Sequence, residues 1–129
     1  LPLMFSHQAA RELTPCERMI SPELLREVRR SRGMVGVTFA SNYLGEDLAA
    51  LIRHAEVFSR DAGPEAVALG SDYNGFITRI EGAADSTGYA LVLRGLAEAR
   101  IPADKSAEAF VRFWRRTQAY GKAAPVPRN

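Results

Sequence analysis

The chain has 129 residues, of which 47% are hydrophobic and 25% are charged, so it is long enough and apolar enough to form one buried core. Its 17 basic and 15 acidic side chains give a formal net charge of +2 and are interleaved along the sequence, which gives no support to nucleic-acid binding. The sequence has no run of about 18 apolar residues that could cross a membrane. Its single cysteine, Cys16, excludes an internal disulfide and favours a reducing compartment, with the cytoplasm as the expected location.

Three strand-like runs recur along the chain, and each is followed by a polar loop and a helical pattern. The strands are predicted at residues 1–5, 34–39 and 66–70. The first run, "LPLMF", is apolar throughout, which is typical of a strand that is covered on both faces. The repeated order of strand, loop and helix predicts an α/β fold.

Capping signals mark where the helices between these strands begin and end. Ser21 followed by Pro22 is typical of a helix start, and Gly33 is expected to end that helix before the second strand. A second helix is predicted from about residue 46 to residue 62, and the Gly63-Pro64 pair that follows is expected to stop it.

Two further amphipathic helices are predicted after the third strand, in the segments "GYALVLRGLAEAR" and "SAEAFVRFWRR". Phe110, Val111 and Trp114 are expected to share one apolar face of the last helix. Residues 1–120 are predicted to form one domain, and residues 121–129 are predicted to form a flexible tail.

The order of the elements leaves two architectures open. Successive parallel strands need helical crossovers, and three such units fit either a doubly wound sheet or a segment of an eight-stranded barrel. No glycine-rich phosphate loop follows any of the predicted strands, which argues against a nucleotide-binding sheet.

All three predicted strands lead into polar side chains, at the end where α/β folds assemble their sites. A histidine there can bind a metal through a neutral ring nitrogen, and an aspartate can bind a metal, orient a histidine or transfer a proton. The alternative is structural: a histidine that is only hydrogen-bonded, and a Ser-Asp pair that only caps a turn. The polar motifs are Ser6-His7, Ser41-Asn42-Tyr43 and Ser71-Asp72.

Four motifs follow one another along the chain: "PLMFSH", "ERMISPELL", "VTFASNYL" and "AVALGSDYNG". Read together, in this order and at this separation, they resemble the membrane dipeptidase (renal dipeptidase) family over about residues 1–116. The resemblance implies a TIM-type (β/α)8 barrel that holds two divalent metals, usually zinc, and hydrolyses dipeptides. It also implies that this chain corresponds to the carboxyl-terminal β/α units of the barrel, with the amino-terminal half absent from it.

The resemblance assigns a role to five side chains. His7 stands where the family has a histidine ligand to one of the two metals. Arg18 matches the arginine that binds the substrate carboxylate, a task that suits the forked donors of a guanidinium. Asp72 matches the aspartate that contacts the substrate and carries the proton in catalysis. Asn42 and Tyr43 match the wall of the substrate pocket.

Some positions depart from the family pattern. Met19 replaces an asparagine, Gln8 replaces a serine and Asn74 replaces an aspartate, and these changes bear on the range of substrates more than on the reaction. The family's His-x-Asp motif, its metal-bridging glutamate and its other histidine ligand belong to strands that precede this chain in the barrel. With one metal ligand remaining, the chain is expected to be inactive alone.

The expected partners are a dipeptide, the amino-terminal half of the barrel and, in a homodimer, a second copy; neither nucleic acid nor a membrane segment is expected. Two other functions stay open: a non-catalytic barrel fragment or binding module, and another amidohydrolase-like metal-dependent hydrolase. His54, in the long helix between apolar neighbours, and Cys16 are expected to be structural.

Overall fold

The computed structural model describes residues 1–123, and in that range three parallel strands are flanked by α-helices. The strands are β1 (Met4–Gln8), β2 (Met34–Thr38) and β3 (Val67–Gly70). The helices are α1 (Pro22–Ser31), α2 (Ser41–Leu44), α3 (Leu48–Ala62), α4 (Tyr89–Glu98) and α5 (Ser106–Ala123). The predicted α/β class, with three strands and flanking helices, is confirmed.

The sheet has the order β1-β2-β3, with β2 in the centre and all five of its residues buried. Phe5 of β1 lies opposite Val35 of β2, and Val35 lies opposite Val67 of β3. Because the strands are parallel, each connection must return the chain to the other end of the sheet, and α1 and α3 lie within these two connections.

The predicted capping residues lie at the ends of the helices, except at the end of α1. The Oγ of Ser21 accepts a hydrogen bond from the Leu24 amide, and Pro22 is the first residue of α1. Helix α1 ends at Ser31, two residues before the predicted glycine, and its C-cap residue, Arg32, adopts a left-handed conformation with φ of 55°. The Gly33 amide then donates to the Val28 carbonyl at 2.8 Å and leads directly into β2.

Helix α3 is the main support of the sheet. It begins after Asp47, whose carboxylate accepts from the Ala50 amide at 2.8 Å, and it packs against β2, β3, α1 and α4. Large apolar side chains from the sheet and from these helices form one continuous core, in which burial of each side chain stabilises the fold by roughly 1.5–3 kcal/mol. The largest of them are Phe39, Phe58, Leu25, Leu51 and Leu96.

The prediction for the first strand is wrong in two respects. β1 runs from Met4 to Gln8, so that Ser6 and His7 lie inside the strand and not beyond its end. A shift of register between Phe5 and Gln8 lets the pairing with β2 continue through these polar residues. The strand is also not covered on both faces in this chain, because Met4 remains 49% exposed.

The last helix also differs from its prediction. Ala109 and Phe113 of α5 are buried, and they pack with Met34 of β2. Phe110 and Trp114, on the predicted apolar face, remain 43% and 53% exposed. The helix continues to Ala123, three residues past the predicted domain boundary, and residues 124–129 of the predicted tail lie outside the described range.

Two glycines allow β1 to approach its neighbours closely. A β-carbon at Gly36 would lie 2.2 Å from the Ser6 carbonyl oxygen, and one at Gly70 would lie 2.1 Å from the same oxygen. Both distances are far below van der Waals contact, and the obstructing atom belongs to the backbone. The position of the segment that carries His7 therefore depends on glycine at these two sites.

We expect Gly70→Ala to destabilise the chain by about 1–3 kcal/mol, because the added methyl group overlaps a backbone carbonyl that cannot rotate away. Gly121→Ala, in an exposed turn of α5 where a β-carbon meets nothing within 4 Å, is the matched control. It should be neutral or stabilising by up to about 1 kcal/mol. Urea unfolding followed by circular dichroism measures both, and equal midpoints for the wild type and Gly70→Ala would contradict the close approach.

Candidate active site

His7 extends from β1 next to the hydroxyl of Ser6. The two side chains form a hydrogen bond of 2.8 Å between Nδ1 and Oγ, and both residues are exposed. A hydrogen bond at Nδ1 fixes the ring orientation and leaves Nε2 as the nitrogen that could bind a ligand.

Arg18 is carried by the loop between β1 and α1, hereafter the arginine loop (residues 9–20). Ala10 and Ile20 pair in a parallel bridge, and the Ile20 amide donates to the Ala9 carbonyl at 3.2 Å, so the two ends of the loop are held together. The Arg18 side chain is exposed, and its guanidinium carbon lies 5.8 Å from the centre of the Tyr43 ring. That distance is typical of a cation–π contact.

Tyr43 and Asn42 belong to α2, a single helical turn that follows β2. The turn is fixed to the rest of the chain by the Ser41 amide, which donates to the Thr78 carbonyl at 2.8 Å. The Tyr43 carbonyl accepts a hydrogen bond of 2.6 Å from the hydroxyl of Thr14, which belongs to the arginine loop. These bonds hold Tyr43 beside Arg18.

Asp72 follows β3 after one residue and has a φ of 50°, in the left-handed region. Its backbone carbonyl accepts the Gly75 amide at 2.8 Å and closes a turn, so the turn bond does not use the carboxylate. A β-carbon at Gly75 would lie 2.3 Å from Oδ2 of Asp72, and glycine at this position therefore makes room for the carboxylate. A left-handed non-glycine residue costs free energy, and such strain is often found at functional sites.

A second arginine holds this turn. The Nη2 group of Arg79 donates to the carbonyl of Tyr73 and lies 3.5 Å from the carbonyls of Asp72 and Gly75. The Arg79 guanidinium also lies 5.6 Å from the centre of the Tyr73 ring, which packs edge-on against Phe39 at 5.9 Å. Burial raises the pKa of the Tyr73 hydroxyl, so it stays protonated at neutral pH.

These elements enclose a cavity of about 280 Å³ at the carboxyl ends of the strands. Of the five site residues that the sequence predicts, four line this cavity together, and Asn42 is exposed on α2 outside it. The complete lining is Ser6, His7, Gln8, Arg18, Met19, Thr38, Ala40, Tyr43, Asp72 and Ile77.

Three further residues form part of the cavity wall. Met19 is 1% exposed and forms an apolar part of the wall, where the family has an amide side chain. Thr38 and Ile77 line the cavity and were not identified from the sequence. Thr38 could have been found by its position, since it is the last residue of a buried strand whose end faces the site.

The residues described do not fit a zinc centre by themselves. Within residues 1–123, no group of three or more His, Cys, Asp or Glu side chains is arranged to hold a metal ion. His7 and Asp72 line the same cavity, but zinc sites in proteins use about three or four protein ligands.

His54 lies away from the cavity and connects α3 to the arginine loop. It is 2% exposed, and its Nδ1 accepts a hydrogen bond of 2.9 Å from the Ala10 amide. Burial lowers the pKa of the imidazole, with a smaller contribution from Arg53, while a backbone hydrogen bond with Leu44 opposes the shift. This geometry agrees with the predicted structural role, and it requires the neutral ring.

Comparison with known proteins decides the family. The model of the membrane dipeptidases (Peptidase family M19) matches residues 1–127. The chain belongs to the membrane dipeptidase family. The resemblance that the four motifs indicate is thus confirmed, and the members of this family are metallopeptidases that act on dipeptides.

Relatives of this membrane dipeptidase chain are similar over most of its length. Dipeptidase ataJ of Aspergillus terreus is 28% identical over 111 residues, which are 78% of this chain and 27% of the relative. A metallopeptidase from Rhodobacter sphaeroides, solved with a phosphinate mimic of the dipeptide L-Ala-D-Ala, is 32% identical with a TM-score of 0.70. That match covers 76% of this chain and 30% of the solved one.

The fold is shared more widely. An amidohydrolase from Pseudomonas aeruginosa matches 88% of this chain and 45% of its own, with a TM-score of 0.75 and 19% identity, which shows a common fold alone. The described α/β units therefore share the fold of part of that larger protein, in agreement with the predicted fold class. The membrane dipeptidase chain spans between 27% and 31% of the length of the curated relatives it matches.

No helix within residues 1–123 combines the length and the apolar character that a membrane span requires.

The buried imidazole predicts how stability depends on pH. Burial lowers the pKa of His54 below its ordinary value of 6.5, so between the two values the unfolded chain binds more protons than the folded chain. The stabilisation from the neutral ring is complete above pH 6.5 and is lost as the pH falls towards the lowered pKa. We therefore expect the free energy of unfolding to decrease as the pH falls below about 6.5.

Two histidine variants test the origin of this decrease. His54→Asn should be less stable at pH 7.5 and should show a flatter dependence on pH, because the titrating group is gone. His7→Asn, which removes the exposed imidazole, should retain the wild-type slope. Urea unfolding at several pH values measures both, and an unchanged slope in His54→Asn would contradict the assignment.

Proposed function

We propose that this chain supplies the carboxyl-terminal part of the active site of a zinc-dependent dipeptidase and is inactive alone. The observation that supports the proposal best is that His7, Arg18, Tyr43 and Asp72 line one cavity. Their side chains offer an imidazole, a cation, an aromatic ring and a carboxylate, which is a set suited to a small zwitterionic substrate.

In this proposal Arg18 binds the carboxylate of the dipeptide. A guanidinium can donate two parallel hydrogen bonds to a carboxylate, and the requirement for that terminal group restricts the enzyme to short substrates. Tyr43 forms the adjoining wall and holds the cation over its ring. Asn42, which is outside the cavity, is proposed only as a residue of the outer rim.

Asp72 is proposed to carry a proton between the attacking water and the leaving amine. Its carboxylate is exposed at the cavity, and the turn that holds it leaves both oxygens available for this role. His7 is proposed as one metal ligand, and the remaining ligands of two zinc ions must come from outside the described residues. The zinc would supply the Lewis acid when bound.

The described residues do not supply enough ligands for a metal ion, and this supports a second candidate function, a barrel fragment or binding module that binds ligands without catalysis. The third candidate, another amidohydrolase-like hydrolase, has less support, because the likeness to the amidohydrolase is one of fold while the family model matches residues 1–127. We further propose a cytoplasmic location, because Cys16 is a free thiol. A homodimer is compatible with this proposal.

We expect Arg18→Ala, in the complete enzyme that contains this chain, to lower kcat/KM for dipeptides roughly tenfold to a hundredfold. The lost interaction is a charge-assisted hydrogen bond of about 1.5–3 kcal/mol. Arg18→Lys should restore part of the loss, and Arg94→Ala, an exposed arginine on α4, is the control that should match the wild type. Wild-type kinetics in Arg18→Ala would show that the carboxylate is bound elsewhere.

We expect Asp72→Asn to keep the fold and the metal content and to lower kcat by about 10²–10⁴-fold, as for the loss of a positioned acid-base group. Asparagine tolerates the left-handed backbone, so the turn should persist. The control is Asp104→Asn, an exposed carboxylate in the short turn before α5.

Turnover and bound metal should be measured on the same sample of Asp72→Asn. Full metal content with collapsed turnover supports the proton-transfer role. Loss of metal would make Asp72 a ligand or a residue that orients a ligand, and wild-type turnover would remove it from the site.

A further inference from the structure

The arginine loop contains a second arginine, Arg11, whose side chain is directed at the backbone on either side of Arg18. Its Nε donates to the Met19 carbonyl at 2.9 Å, and its Nη2 donates to the Glu17 carbonyl. One planar guanidinium thus holds the carbonyls of the two residues on either side of Arg18, the residue proposed to bind substrate. Arg11 itself is half-buried and is not among the residues that line the cavity.

These bonds lie within a loop whose two ends are already joined by other hydrogen bonds. The Arg11 amide donates to the Ile20 carbonyl at 3.0 Å, and the His54 imidazole holds the adjacent Ala10 amide. Both contacts fix the ends of the loop and not its tip. Beside Arg18, the Met19 amide donates to the Cys16 carbonyl at 3.0 Å and closes a local turn, and the Arg11 side chain attaches this turn to the ends of the loop.

The Arg18 side chain has its own support in the ring of Tyr43, whose carbonyl is tied to the same loop by Thr14. A contact with the ring can orient the guanidinium only if the Arg18 backbone is itself fixed. Misplacement of a binding group by about 1 Å can reduce catalysis by about a hundredfold, so the position of this backbone matters for substrate binding.

We propose that Arg11 is a positioning residue that sets the place of Arg18 and so tunes recognition of a substrate with a free carboxylate. The inference rests on the proposed function, in which Arg18 binds that carboxylate. Arg11 acts through Arg18 and does not touch the substrate. A guanidinium suits this role because its separate N–H groups can donate to both carbonyls at once. The single ammonium group of a lysine cannot reproduce that geometry.

The test uses the complete enzyme that contains this chain, with a dipeptide and the same dipeptide as its carboxamide. For the free acid, Arg11→Ala should raise KM about tenfold and leave kcat within about twofold, and Arg11→Lys should fall between Arg11→Ala and the wild type. For the amide, which lacks the charged group, Arg11→Ala should match the wild type. The double variant Arg11→Ala/Arg18→Ala should be no worse than Arg18→Ala alone.

A matched control separates this role from general support of the loop. The Arg60 guanidinium binds the carboxylate of Glu12, which belongs to the same loop, at 2.7 Å and does not contact the carbonyls beside Arg18. Arg60→Ala should therefore keep wild-type kinetics on both substrates. Equal losses on the acid and the amide in Arg11→Ala, or losses that add to those of Arg18→Ala, would overturn the proposal.

Amide hydrogen exchange on the same samples tests the geometry without activity. Arg11→Ala should exchange faster in residues 12–19 than the wild type or Arg60→Ala, because the tip of the loop has lost its attachment. Unchanged exchange overturns the inference whatever the kinetics. If the wild-type enzyme hydrolyses no dipeptide, the proposed function fails, while faster exchange in Arg11→Ala still supports the positioning of Arg18.

Discussion

Parallel pairing of β2 with a strand on each side determines where every loop of the site can lie. Because the three strands run in one direction, their carboxyl ends emerge at the same edge of the sheet, and the loops that follow are forced together there. His7, Tyr43 and Asp72 reach one cavity for this reason, although up to 65 residues separate them in sequence. The close approach of the Ser6 carbonyl to Gly36 and Gly70 sets how tightly the strands meet.

Beyond the sheet, the site depends on side chains that bind loop carbonyls. Backbone groups in loops do not form the regular hydrogen bonds of a helix or a sheet, and a buried carbonyl without a hydrogen bond lowers the stability of the fold. Arg11 binds the carbonyls beside Arg18, and Arg79 binds those of the turn that holds Asp72 in its left-handed conformation. The two residues with proposed roles in binding and proton transfer are therefore fixed through arginines that do not line the cavity.

Much of this could be predicted from residue types. Ser21-Pro22 identified the start of α1, and the polar residues after apolar runs identified His7 and Asp72 as candidates. The predictions for the extent of β1 and for the buried face of α5 were wrong. The extent of a strand depends on the strand that it pairs with, and the buried face of a helix depends on the elements that it packs against, and both lie outside the segment itself. Arg11 and Arg79 were missed for a different reason: a bond to a backbone carbonyl depends on loop geometry and leaves no pattern of residue types.

Arg18 and Asp72 are proposed to act on one bound dipeptide, and a crystal structure of the complete enzyme with a phosphinate dipeptide mimic would test this directly. We expect the Arg18 guanidinium to lie within about 2.7–2.9 Å of the mimic's carboxylate. We also expect the Asp72 carboxyl group to lie within about 2.6–3.2 Å of a polar atom of the mimic. A mimic whose carboxylate is bound by other residues, with Arg18 directed into solvent, would contradict it.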